Sequence, residues 1–263
     1  MVGGWWRALQ ARREDAAVQR RQVPDDLWKR TLVRYPFLQR RDPADGAELR
    51  RLTSLFLDRK EFSCTGSLKL TDAMAVSIAA QAALPVLHLG LDVYDSFVGI
   101  TVHPDAVVTQ RSQEDADGVV HEFEATLLGE VIPGGPVMLS WPHVRRAGHS
   151  AAASLNVVIH EFVHVLERAA GGLPPLPPDL GVQEFQSTLA QEYEHFVQRV
   201  EADEATVLDP YGASAEDEFF AVASEAFFVN AAQMQKEHPA LYGMLCRLFL
   251  QDPAADQPPA RRA

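Results

Sequence analysis

Cysteine is almost absent: Cys64 and Cys246 are the two in 263 residues, and they lie far apart. That excludes a disulfide framework and points to reduced thiols in a cytoplasmic protein. A secretory signal is missing too, because the start, Met1-Val-Gly-Gly-Trp-Trp-Arg7, has no apolar central block. No apolar run is long enough to span a bilayer. The longest, Ala73 to Leu91, is interrupted by Gln81, Pro85 and His88 and fits a buried helix. There is no internal repeat, and positive charge is scarce, with 24 Lys and Arg against 36 Asp and Glu. A net charge of −12 excludes general nucleic-acid binding through the bulk surface. Basic residues gather at the start, where residues 1–41 hold ten Lys or Arg against four acids; this is either a contact for an acidic partner or a solvated face.

What is present is a globular composition, 47% apolar, enough for a real core. Within it sits His160-Glu-Phe-Val-His164, inside the apolar stretch Asn156 to Leu166. Two His four apart share one helix face, so both imidazoles reach one metal ion. Glu161, displaced around the helix, is placed to hold a water at that metal. The chemistry this pattern suggests is zinc-assisted hydrolysis of a peptide bond. Ser154 suits a helix start and Gly171-Gly172 a stop. A buried helix with two imidazoles and a carboxylate is costly unless they are paired or metallated.

A zinc site needs a third protein ligand. The metzincin extension would need Gly at 167 and His at 170, where this chain has Glu167 and Ala170. Glu167 lies almost two turns beyond His160 on the same rod and is a poor ligand. A second helix supplies better candidates. Ser214-Ala-Glu-Asp217 resembles a capping box opening the run from Glu218 to Val229. Glu218 and Glu225 fall on one face of it. One as ligand and one supporting a His would satisfy both, and spacing leaves open which is which.

Helices are expected at about 25–35, 47–57, 72–83 (capped by Thr71), 154–170, 182–202, 214–232 and 239–250. Short strands are expected at 97–102, 119–123 and 137–141. The fold class is α+β, mainly helical, with a small mixed sheet before the metal helix. One domain is expected over 1–252, with a helical part to about 95 and the sheet and catalytic helices from 96. Residues 253–263 read as a disordered tail. Strand Val137–Trp141 is the candidate edge for pairing with extended substrate. His103, His121, His143, His149 and His195 read as packing or surface residues.

Eight segments also carry a family resemblance. They are Val23-Pro-Asp-Asp-Leu-Trp28, Leu68 to Met74, Ile78 to Ala82, Leu89 to Tyr94, Gly135 to Trp141, Asn156 to Phe162, Asp209 to Gly212 and Glu218 to Glu225. With them the chain resembles the MtfA-type peptidases, the Mlc titration factor group of bacterial zinc metallopeptidases. Tyr211 and Glu218 have the family's Tyr-x6-Glu separation, which is also similar to the catalytic domain of anthrax lethal factor. The resemblance implies a zincin-like, gluzincin-type fold. It implies zinc on His160, His164 and Glu218, support from Glu225, Glu161 as general base, and Tyr211 beside the tetrahedral intermediate. It also implies aminopeptidase activity on short peptides and, as a second role, sequestration of a transcriptional repressor of sugar uptake. After the motif the chain departs from the family loop with Gly171-Gly-Leu-Pro-Pro-Leu-Pro-Pro178.

Overall fold

The computed structural model describes residues 2–39, 42–114, 120–127, 129–131, 135–147, 155–169 and 171–255. It is mostly helical around a small sheet. The first half contributes α1 (Val2–Arg20), α2 (Asp25–Arg34), α3 (Pro36–Gln39), α4 (Pro43–Arg59), β1 (Glu61–Cys64) and α5 (Asp72–Ala83). Then come β2 (Gly99–His103), β3 (Val107–Glu114), β4 (Val120–Leu127), β5 (Gly129–Val131), β6 (Val137–Ser140) and α6 (Trp141–Arg146). The last part is helical: α7 (Val157–Ala169), α8 (Val182–Glu201), α9 (Glu216–Val229), α10 (Ala231–Glu237) and α11 (Pro239–Phe249).

Thr71 caps α5 as its sequence suggests, accepting from Met74 N. That helix is buried along most of its length and serves as the crossover that lets β1 and β2 run parallel. β2 pairs parallel with β6, and β5 pairs antiparallel with β6, giving the order β1-β2-β6-β5. β3 and β4 form a separate two-stranded ribbon. This corrects the expected substrate edge. β6 is interior, hydrogen-bonded on both sides, and the edges of the four-stranded sheet are β1 and β5. A three-residue strand such as β5 has too little pattern of its own to be found from sequence.

Helix α7 is fixed by its inner side. Phe162 is fully buried, with ring centroids 5.5 Å from Phe56, 5.1 Å from Tyr94 and 5.7 Å from Phe97. Lys60 closes this aromatic cage, donating to the Tyr94 carbonyl at 2.6 Å and lying 3.9 Å over the Phe97 ring. Helix α9 is locked likewise: Phe219 meets Phe196 of α8 at 5.3 Å, and Phe227 meets Phe249 of α11 at 5.5 Å. Two helices packed this firmly can hold polar groups at fixed separation between them.

The end of the described chain is ordered further than composition suggests. Pro253 is buried, Tyr242 Oη donates to Asp252 at 2.6 Å, and Ala254 N donates to Tyr242 Oη at 2.9 Å. The rest of the expected tail, 256–263, lies outside the described residues. Cys64 and Cys246 are both free thiols. Among the described residues no helix is long and apolar enough to cross a membrane.

Candidate metal centre

The site forms where α7 crosses α9. The expected cap Ser154 lies outside the described residues, and Asn156 takes that role. Its Oδ1 accepts from Val158 N and Ile159 N, both at 3.1 Å, while its Nδ2 donates to Gln81 Oε1 at 2.9 Å. The far end stops at Gly171 and Gly172, whose φ values of 78° and 100° favour glycine. On α9 the expected capping box does not form. Ala215 is the N-cap, and Ser214 instead donates its hydroxyl to the Tyr211 carbonyl at 2.7 Å within the 3-10 turn Pro210–Ser214.

Three side-chain atoms converge. His160 Nε2 lies 2.9 Å from Glu218 Oε2 and 3.2 Å from His164 Nε2, and His164 Nε2 lies 3.5 Å from Glu218 Oε2. Ligand atoms at zinc bond lengths of about 2.0–2.1 Å in a tetrahedron stand roughly 3.3 Å apart. The triangle therefore has the dimensions of one face of a zinc site, and its donor set of two imidazoles and a carboxylate suits that ion. Each imidazole has its other nitrogen on a carboxylate. His160 Nδ1 lies 2.8 Å from Glu225 Oε1, and His164 Nδ1 lies 3.2 Å from Glu167 Oε2. Donation from Nδ1 leaves each Nε2 lone pair for the metal and fixes the ring plane. Glu225 is buried and also accepts from Asn156 N, tying the start of α7 to α9. Spacing left Glu218 and Glu225 interchangeable; in the fold Glu218 faces both Nε2 atoms and Glu225 stands behind His160. Glu167 is absent from the triangle, as its position on the rod required. Its contact with His164 was missed, although a separation of three on one helix was signal enough.

Glu161 is 5% exposed, and burial raises its carboxyl pKa to about 7. Tyr211 is half-exposed, its ring 6.1 Å from that of His160. Of the remaining His residues, His103 contacts Thr65 at 3.0 Å and His143 contacts Ser140 at 2.8 Å. The side chain of His121 and all of His149 lie outside the described residues. Among the described residues one cluster could hold an ion, His160, His164 and Glu218, whose ligand atoms all lie within 4.8 Å of one another.

Comparison with known proteins agrees with this centre. The model of the glucose-regulated metallo-peptidase M90 family matches residues 6–250. The chain belongs to this family. Among its relatives are Mlc titration factor A of Serratia proteamaculans, 31% identical over 233 residues covering 87% of this chain and 88% of that protein. Mlc titration factor A of Klebsiella pneumoniae is 30% identical over 86% of each chain. An uncharacterized protein of Synechocystis is 33% identical over 84% of this chain and 82% of its own.

As in other metallopeptidases, membership in M90 implies zinc, and protons compete for its ligands. Burial pushes the His160 imidazole down, but its hydrogen bonds to the Glu218 and Glu225 carboxylates outweigh this and hold its pKa well above the ordinary value. Burial opposes His164 too, yet Glu167 and Glu218 raise it to about 9. Glu218 is pulled far the other way: burial raises it, but the two imidazoles beside it lower it more. In the metal-free protein both imidazoles are therefore held towards the protonated form by the carboxylates beside them. A raised folded pKa stabilises fully below the unfolded value of roughly 6.5 and ceases to do so as pH rises through the folded value. The metal-free protein should lose stability as pH climbs through about 9. Zinc binding at pH 7 should release protons from these ligands, and fewer as pH rises through that range. Calorimetric titration in buffers of different ionisation enthalpy reads the number directly. Binding at pH 7 without proton release would contradict it.

Proposed function

We propose that this chain is a zinc peptidase of gluzincin type, with a zincin-like domain over 1–252 that acts on short peptides as an aminopeptidase. The observation that carries it is the triangle of His160, His164 and Glu218 beside the buried Glu161. Bound zinc supplies a Lewis acid, which lowers the pKa of water and polarises the scissile carbonyl. Glu161 takes a proton from the attacking water and delivers it to the leaving amine, a role suited to a buried carboxyl next to the metal ligands. Tyr211 donates its hydroxyl to the carbonyl oxygen as that oxygen gains charge. Glu225 and Glu167 hold the two imidazoles in place.

Strand β5, which among the described residues ends the four-stranded sheet, is the place for substrate backbone rather than β6, because Gly129 on it packs against Glu161. Pairing there gives affinity with little sequence choice. The acidic first turn of α9, with Glu216 and Asp217 next to Glu218, suits a free ammonium group. Digestion of a peptide library tests this. Zinc-dependent removal of amino-terminal residues, blocked by N-acetylation, is the expected result. Cleavage that survives zinc removal would exclude it.

The name of the Serratia and Klebsiella relatives favours a second reading, in which this chain also binds a transcriptional repressor. Repressor binding that survives His160→Ala would mark a surface separate from the metal centre.

A further inference from the structure

The helix-facing side of the sheet carries a branched aliphatic at each interior position. Ile100 and Val102 on β2 and Val137 and Leu139 on β6 are at most 1% exposed. Register puts Ile100 opposite Val137 and Val102 opposite Leu139, and Leu139 is paired in turn with Gly129 on β5. Residues paired across strands point to the same face, so position 129 continues this row into the edge strand. There the row has no side chain. The glycine is not required by φ, since its backbone lies outside the left-handed region. It is required for space. A methyl carbon at 129 would sit 2.5 Å from both Oε1 and Cγ of Glu161 and 2.7 Å from its Cδ. Carbon atoms in ordinary contact are about 3.5–4.0 Å apart. The three atoms nearest to that methyl all belong to Glu161; none belongs to a residue of the metal triangle. Both sides of the contact are held, β5 by its pairing with β6 and Glu161 by a helix anchored through Phe162.

Resting on the reading of Glu161 as general base, we propose that Gly129 is a positioning residue: the notch left by its missing side chain seats the Glu161 carboxylate beside the metal triangle. The notch sets two things at once. It makes room for the carboxylate, and it puts strand β5 in contact with the acid that must meet the scissile bond. Any larger residue at 129 displaces the acid, because the obstructed atoms are the end of the Glu161 side chain while β5 is held by its pairing with β6.

Two readouts test this, on the full chain with zinc restored. Gly129→Ala should keep zinc at the wild-type stoichiometry and KM near wild type, while kcat falls about 100-fold or more. In a Glu161→Asp background, where the acid is one methylene shorter and withdraws from the methyl, the same change should cost little further turnover. The second readout needs no activity. Gly129→Ala should lower Tm in the wild type and leave it unchanged in Glu161→Ala, where the obstructed atoms are gone. Full kcat in Gly129→Ala, or an equal loss of Tm with and without the Glu161 side chain, would overturn the proposal. Should the Tm coupling hold in a protein with no turnover, the notch stands and the general-base reading falls.

Discussion

Glu161→Gln should keep its zinc and lose turnover by about 100-fold to 10,000-fold, the range for removing a general acid-base group. The amide matches the carboxylate in shape, so it fits the space beside Gly129. It cannot take a proton from water. The atoms of the metal triangle belong to three other residues and stay where they are. The acid limb of the wild-type rate profile, set by a carboxyl near neutrality in the metal-free protein and lowered by a bound cation, should vanish with the residual activity. The measurement is kcat with metal content on the same sample. Loss of zinc along with rate would make Glu161 structural, and full rate with zinc bound would remove it from the chemistry.

Glu218→Ala should abolish stoichiometric zinc, whereas Glu225→Ala should weaken binding by roughly 10–100-fold, as expected of an outer partner. The two carboxylates lie on one face of one helix, and both touch His160. They differ in what else they reach. Glu218 Oε2 also stands 3.5 Å from His164 Nε2, completing the triangle, while Glu225 is turned back towards Asn156 N at the head of α7. Removing Glu218 takes away one donor of three and the carboxylate that lies against both imidazoles. The pKa of His164, raised partly by Glu218, should then drop, which a histidine NMR titration would follow. Removing Glu225 leaves all three donors but frees the His160 ring and leaves a buried backbone amide without its partner, so a loss of Tm should accompany the weaker binding. Equal zinc affinity in the two variants would contradict the assignment of ligand and support.

The parts of this site that were legible in the sequence are those set by helical spacing. His160, Glu161 and His164 declare themselves within five residues, and the common face of Glu218 and Glu225 follows from a separation of seven. Those positions needed only a local period. What the sequence withheld was set by pairing across the chain. The expected substrate edge fell on β6 by its position before the metal helix, yet the three-residue strand β5 covers it. Nothing local in Gly129-Glu-Val131 announces a strand. Gly129 gains a role only when the register places it opposite Leu139 and against Glu161. Ser214 shows a different limit. Its capping signal was real chemistry, but a neighbouring 3-10 turn captured the hydroxyl first, as serine side chains commonly allow. Long helices fared well at their middles and less well at their ends. The expected helix 214–232 is α9 followed by α10, joined at Asn230, whose φ of −130° breaks the helical run.

X-ray absorption at the zinc edge of the reconstituted wild-type protein tests the centre most directly. One zinc per chain is expected, with two imidazole nitrogens and a carboxylate oxygen at about 2.0–2.2 Å, and with the imidazole signal lost in His160→Ala and His164→Ala. An ion without imidazole ligands, or one whose spectrum is unchanged when residues 160, 164 and 218 are replaced, would contradict the account.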